Sequence, residues 1–326
     1  MGVLWALGIA AVVVGGLAAV SAANAVHPPN YGISEATAIT SDGSHVWIAN
    51  QDSVTEVNQA NGALIRLLNG PSYGFSSPSA IAYDGSHMWI ANFSGQSDVT
   101  EVNASTGALM RVFHGPQFAW NVVASDSQHV WVTDSNANTV SEINSSTGAV
   151  VRVIHGPSIG FAQITIDAIG KHVWVGTQGG AVAELSASSG KLERVIRWSG
   201  KKYGYPYAIT ADKSHVWIAT NGGAVVELNS ATGGLMRVVS GNGYRFSSPT
   251  GISSDGNHVW VTNQGNQVGV TEISCASGKL VRFIDGPHFS FGDPQGVVSD
   301  GTNVWVIDGN DLIELRAATG ALVRVI

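Results

Sequence analysis

Short apolar runs of four to six residues, separated by turns rich in Gly, Asp, Asn and Ser, occupy the chain from residue 33 to its end. Runs of that length with that punctuation are strand chemistry. Between residues 79 and 113 the predicted strands are Ser79–Tyr83, His87–Ala91, Asp98–Asn103 and Ala108–Phe113. No helix-length run lies between them, so each such stretch forms a four-stranded antiparallel meander.

The pattern recurs. Trp47, Trp89, Trp131, Trp174, Trp217, Trp260 and Trp305 stand at spacings of 42, 42, 43, 43, 43 and 45 residues. The first phrase reads Ser41-Asp42-Gly43-Ser44-His45-Val46-Trp47-Ile48-Ala49-Asn50, and the sixth reads Ser254-Asp255-Gly256-Asn257-His258-Val259-Trp260-Val261-Thr262-Asn263. A single small sheet cannot cover its own two apolar faces, whereas sheets stacked radially cover every face. The expected fold is all-β: a seven-bladed β-propeller over residues 26–326, with four antiparallel strands per blade. The repeats start with an inner strand near Thr37 and end with an outer one at Ile326, so no strand is exchanged at closure. Blade one then meets blade seven by side-chain packing alone, and that seam is expected to open first.

The phrase resembles the YVTN-type propeller repeats, relatives of the NHL repeats. Trp260-Val261-Thr262-Asn263 differs from that motif only in its first aromatic, and Trp47-Ile48-Ala49-Asn50 and Trp131-Val132-Thr133-Asp134 are looser versions. The resemblance covers about nine-tenths of the chain and implies the fold; propellers host many unrelated activities. At fold level the chain is also similar to the streptogramin lyases, but the catalytic His and Glu of that family match no particular positions here.

Charge narrows the classes further. Charged residues are only 12% of the chain and apolar residues 44%, with 40 Gly and 10 Pro. Disorder and coiled coils both need more charge. A net charge of −7 argues against nucleic acid as a partner. One cysteine excludes an internal disulfide and a Cys-based zinc cluster. Residues 1–25 lack charge, run apolar from Val3 to Val20 and close on Ala23-Asn24-Ala25. They read as a secretory signal peptide, or as a membrane anchor if residues 3–23 are retained. Either places the remainder outside the cytoplasm: secreted, periplasmic or in the cell envelope.

Most charges belong to the repeat. Glu56, Glu101, Glu142, Glu184, Glu227, Glu272 and Glu314 each precede an Arg by ten residues: Arg66, Arg111, Arg152, Arg194, Arg237, Arg282 and Arg324. A three-residue hairpin loop such as Ala60-Asn61-Gly62 sets the two opposite each other, partly buried between blades. His45, His87, His129, His172, His215 and His258 precede the repeat Trp by two, and Asp42, Asp84, Asp126, Asp212, Asp255 and Asp300 fill the first turn. Recurrence in all seven copies, or in six of the seven, marks these sets as scaffold. Blade four has Ile169 at the Asp position and blade seven has Asn303 at the His position.

Function is expected where the copies differ, on the face shared by the second-to-third strand loops and the blade-to-blade crossings. Aromatics collect in the crossings, and the candidate binding residues are Tyr73, Phe75, Phe118, Trp120, Tyr203, Tyr205, Tyr244, Phe246, His288 and Phe289, with Tyr207 and Phe291 beside them. They form either a ring at the channel mouth, suited to a sugar, peptide or aromatic ligand, or wedges between blades. Trp198, Lys201, Lys202 and Arg245 lack counterparts in most copies, while His114 and His155 recur only in His-Gly-Pro. Asp134-Ser135-Asn136-Ala137-Asn138 begins like a calcium loop but has Thr139 where an EF-hand needs Gly. No metal ligand set is assigned, and no cofactor is expected beyond a divalent cation as the weakest candidate. No catalytic motif stands in the sequence. The favoured reading is an exported, monomeric binding module for a small molecule, glycan or protein. The alternatives are a metal-assisted lyase or hydrolase of the streptogramin-lyase type, and a structural envelope protein in which Cys275 permits dimerisation.

Overall fold

The computed structural model describes residues 30–93, 98–114, 122–134, 136–156, 161–177, 180–198, 200–289 and 291–326. Residues 1–25, expected to be an export segment, and the candidates Phe118 and Trp120 lie outside the described residues.

Twenty-eight strands form seven four-stranded antiparallel sheets, each built from one continuous stretch of chain. In blade one these are β1 (Ala38–Ser41), β2 (His45–Ala49), β3 (Val54–Asn58) and β4 (Leu64–Leu68). In blade two, β5 (Pro78–Tyr83), β6 (His87–Asn92), β7 (Val99–Asn103) and β8 (Leu109–Phe113) match the predicted bounds to within one residue. The inner strands of the next blades are β9 (Val123–Ser125), β13 (Phe161–Ile169), β17 (Pro206–Ala211), β21 (Pro249–Ser254) and β25 (Pro294–Ser299). Each lies beside the inner strand of the next blade, and β25 returns to β1, so the seven enclose a central channel. No strand is exchanged at closure.

One row of paired residues crosses every blade from channel to rim. In blade one it reads Thr40, Trp47, Glu56, Arg66. The Trp of all seven copies is buried in the packing between blades, where each indole removes on the order of 150–250 Å² from water. Asp42 explains the first turn. Its Oδ1 accepts the backbone N–H groups of Ser44 and His45, and its Oδ2 accepts the Trp47 indole N–H at 3.0 Å. The Asn closing the phrase pins the incoming crossing: Asn92 Oδ1 accepts the Ser76 N–H, and Asn263 Oδ1 that of Ser247.

Glu and Arg pair as expected, but by a different route. The Asn58 N–H donates to the Ala63 carbonyl and the Gly62 N–H to the Asn58 carbonyl, both at 2.8 Å, so the loop holds four residues and not three. The register then shifts between Glu56 and Val57, leaving Ile65 as an unpaired bulge. The extra strand residue compensates for the extra loop residue, and Glu56 meets Arg66 after all. The shift recurs in every blade.

Burial of the pair is uneven. The Glu side chains are at most 2% exposed, whereas the Arg side chains keep 24–38%. Arg Nε lies 2.6–2.7 Å from the carboxylate in six blades, and Arg237 pairs likewise with Glu227. Burial raises every one of these carboxyls above its ordinary value even though the Arg opposes the shift. The guanidinium also reaches forward: Arg66 donates to the Ser105 carbonyl in the next blade's hairpin at 3.1 Å, and Arg152 to that of Ser188 at 3.2 Å.

The closing seam corrects the expectation of packing alone. Arg324 donates to the Asn61 carbonyl of blade one, the same link as at the other seams. Gln59 accepts from Ser41 at 2.7 Å and donates to Asp300 of blade seven. The Ala36 N–H donates to the Gly309 carbonyl at 3.2 Å, and the Glu35 N–H to Asn310 Oδ1 at 2.9 Å. These bonds stand where the other seams have a covalent crossing.

Candidate functional site

The candidate aromatics fall between blades. Tyr73 stacks on Phe75 with centroids 5.2 Å apart, Tyr244 on Phe246 at 5.6 Å and Phe289 on Phe291 at 5.5 Å. Each pair packs against the apolar cluster between its two blades, which is the wedge arrangement. Tyr73 also spends its hydroxyl on the Gly107 carbonyl at 2.9 Å. Tyr205 is different, half-exposed with its backbone N–H bonded to Asn221. Lys202 Nζ lies 4.8 Å from the Tyr203 ring centroid. His288 is exposed in the crossing before Phe289.

The segment that enters blade one and three blade-to-blade crossings share one construction. The backbone carbonyls of Tyr31, Tyr73, Tyr203 and Tyr244 accept the buried hydroxyls of Thr55, Thr100, Thr220 and Thr271. The residue after each Tyr is left-handed: Gly32 at φ 65°, Gly74 at 67°, Gly204 at 82° and Arg245 at 62°. Three of these four segments use Gly there, which adopts this conformation without a Cβ penalty. The fourth holds an Arg, at a cost on the order of 1–3 kcal/mol. Arg245 Nη1 donates to Gln267 Oε1 at 2.7 Å, and its guanidinium carbon lies 5.9 Å from the Phe283 ring centroid. Around it opens a groove of about 850 Å³, lined also by Asn242, Phe246, Ser247 and Leu280. Gln267 belongs to a second-to-third strand loop, so this groove is on the predicted face, towards its outer edge.

The channel holds a second site that the repeat reading passed over. A chamber of about 300 Å³ is walled by the second halves of all seven inner strands. The position paired with the repeat Trp lines it in each blade: Thr40, Ala82, Ala124, Asp167, Thr210, Ser253 and Val298. Asp167 is the one charged residue in that column. Its Oδ1 accepts the Ala168 N–H at 2.8 Å and its Oδ2 the Ala211 N–H of blade five at 2.6 Å. Asp167 lines the lumen, and burial pushes its carboxyl up to about 7, against the two backbone donors. The signal was legible: a lone acid seven residues before Trp174, where the other copies carry small or aliphatic residues.

Titratable clusters elsewhere are tied to the scaffold. Asp42, His45 and Glu56 converge in blade one, and His172, Glu184 and Glu193 in blade four. These are the residues with the geometry to hold a metal, but Glu56 and Glu184 already pair with Arg66 and Arg194 at 2.6 Å. In blade four, Glu193 at the bulge position approaches His172 at 3.7 Å, where Ile169 has removed the usual turn Asp. Asp134 of the calcium-like loop caps its own turn, accepting the Ala137 N–H at 2.8 Å. Cys275 is buried beside Ser254, with its thiol pushed up to about 11 by desolvation; that placement corrects the idea of a dimerising cysteine.

No family model and no curated protein sequence matches the chain. Solved structures do. The structure of U3-55K superposes with a TM-score of 0.70 at 13% identity, over 85% of this chain and 89% of the other. Kuenenia stuttgartiensis hydrazine synthase matches at 0.68 and 17%, over 88% and 96%. BamB from Moraxella catarrhalis matches at 0.59 and 16%, over 88% and 86%. At these identities the likeness carries the architecture alone: the chain is a seven-bladed β-propeller, similar to WD40-type and BamB-type propellers.

Proposed function

We propose that this propeller is an exported binding module of the YVTN/NHL kind, which takes an anionic ligand on its crossing face, in the groove between blades five and six. The observation that carries this reading is Arg245. Backbone strain that recurs is scaffold, as at Ser77 and Ser248, which both adopt positive φ ahead of an inner-strand Pro. Among the described segments of this construction, Arg245 is the one left-handed residue that is not Gly, the others being Gly32, Gly74 and Gly204. A long cationic side chain held at that cost over Phe283, at the edge of an open groove, is suited to a carboxylate or an acidic sugar ring. The groove is within the size range of small-ligand sites.

The test compares wild type with Arg245→Gly by calorimetric titration of uronic-acid oligosaccharides and short acidic peptides. Glycine restores the residue used by the sister crossings, so the variant keeps its fold. Binding of at least one probe by wild type, weakened tenfold or more in the variant, supports the reading. Equal binding by the two proteins, or binding of no acidic probe by wild type, overturns it. The metal-assisted lyase has no specific observation in its favour among the described residues.

A further inference from the structure

We propose that the channel chamber binds one small organic cation, a protonated alkylamine, with its ammonium group against Asp167. This site is separate from the crossing-face groove, and neither proposal depends on the other.

Charge is the first argument. Among the described residues Asp167 has no counter-ion: β9 presents Ala124 and Ser125 beside it, β17 presents Thr210 and Ala211, and Trp174 stands opposite. The other titratable group in the wall is Tyr83, whose hydroxyl is bonded to the Gly85 carbonyl at 2.7 Å. A carboxylate enclosed without a partner is costly, and a cation beside it removes the cost. Each Asp167 oxygen accepts one backbone N–H and keeps a second lone pair for a ligand.

The chemistry of the wall selects the cation. Divalent ions such as calcium need six or more oxygens and usually several carboxylates; this wall offers one carboxylate and a few hydroxyls, from Thr40, Thr210 and Ser253. An ammonium group needs one acidic acceptor and two neutral ones. Ile39 and Ile209 add a small aliphatic surface at the same level, whereas Ile81 and Ile252 are buried between blades and the rest of the exposed wall is mostly polar. The volume of about 300 Å³ equals about ten waters, enough for a short alkylamine.

A structural role alone is separable. Ser253 performs the inter-blade part of Asp167's task without charge, accepting the Ser299 N–H of blade seven at 3.1 Å. Asp167→Ser therefore keeps a latch of the kind blade six already uses and removes only the anion. The probes are n-butylammonium and its neutral analogue n-butanol, followed by thermal shift and calorimetry at pH 8 and pH 5.5. Butylammonium is expected to stabilise wild type saturably at pH 8, at least tenfold less tightly at pH 5.5, and not at all in Asp167→Ser. Butanol is expected to act alike in every arm. Equal shifts from the two probes, a butylammonium response retained in Asp167→Ser, or magnesium chloride acting in place of the amine each overturn the proposal. The pH comparison on wild type decides the matter should the variant not fold.

Discussion

The guanidinium of Arg324, on the last strand, donates to the backbone carbonyl of Asn61 in the first blade's hairpin. It repeats across the chain termini the link that Arg66 makes to Ser105 between covalently joined blades. Gly62 makes room for it: a Cβ there would stand 2.6 Å from Arg324 Nη1. Ring closure thus uses the residues of every other seam, with Gln59 and Asp300 added.

Because the closing seam alone lacks a covalent crossing, its polar links matter most. Arg324→Ala should expose the amides of blades one and seven to hydrogen exchange before those of blades three to five. Arg152→Ala should raise exchange without that bias. Uniform change around the ring in Arg324→Ala would show that closure does not depend on this residue.

Removing one member of a buried pair strands the other. Arg152→Ala should cost about 3–5 kcal/mol, because Glu142 loses its partner in a desolvated position. Joint replacement, Glu142→Leu with Arg152→Leu, should recover most of that loss, since burial already opposes the charge of Glu142. Urea denaturation measures both, and a loss near zero in the single variant would refute the buried placement.

Asp167 makes stability depend on pH. Its carboxyl is raised in the folded state, so the fold holds this proton more tightly than the unfolded chain does. Below the unfolded value, near 4, both states are protonated and the group contributes nothing. Stability then falls as pH rises from about 4 to about 7, by at most about 1.4 kcal/mol per unit. Asp167→Ser should remove this fall, seen as a smaller difference in unfolding free energy between pH 5 and pH 8.

Arg245→Gly should stabilise the protein by about 1 kcal/mol by relieving a left-handed non-glycine residue. Loss of stability would mean that the Arg245 contacts with Gln267 and Phe283 outweigh the strain.

Cys275 should resist maleimide at pH 8 in the native protein and react once unfolded, because the thiol is buried and its ionisation is suppressed. Rapid native labelling would place it at the surface.

Local pattern determined most of the architecture. The Trp period, the Asp-Gly turns and the Glu–Arg spacing are set by strand alternation and hairpin geometry, which act over a few residues. Even the misjudged loop left the pairing intact, because the bulge at Ile65 cancels the extra turn residue. Tyr73 and Phe75 were legible as aromatics, but not whether they faced a ligand or a neighbouring blade, since that depends on the tilt of one sheet against another.

What the sequence determined by itself is the blade: four strands, a buried Trp, and an acid–base pair repeated seven times. Tertiary structure decided what stands at the centre and what is strained at the edge. Asp167 becomes a channel-lining charge without a counter-ion among the described residues only when seven inner strands, spread over some 260 residues, converge on one axis. Arg245 becomes informative only when the crossing fixes the sign of its φ angle. Both are properties of enclosure and backbone path, which no local sequence window contains.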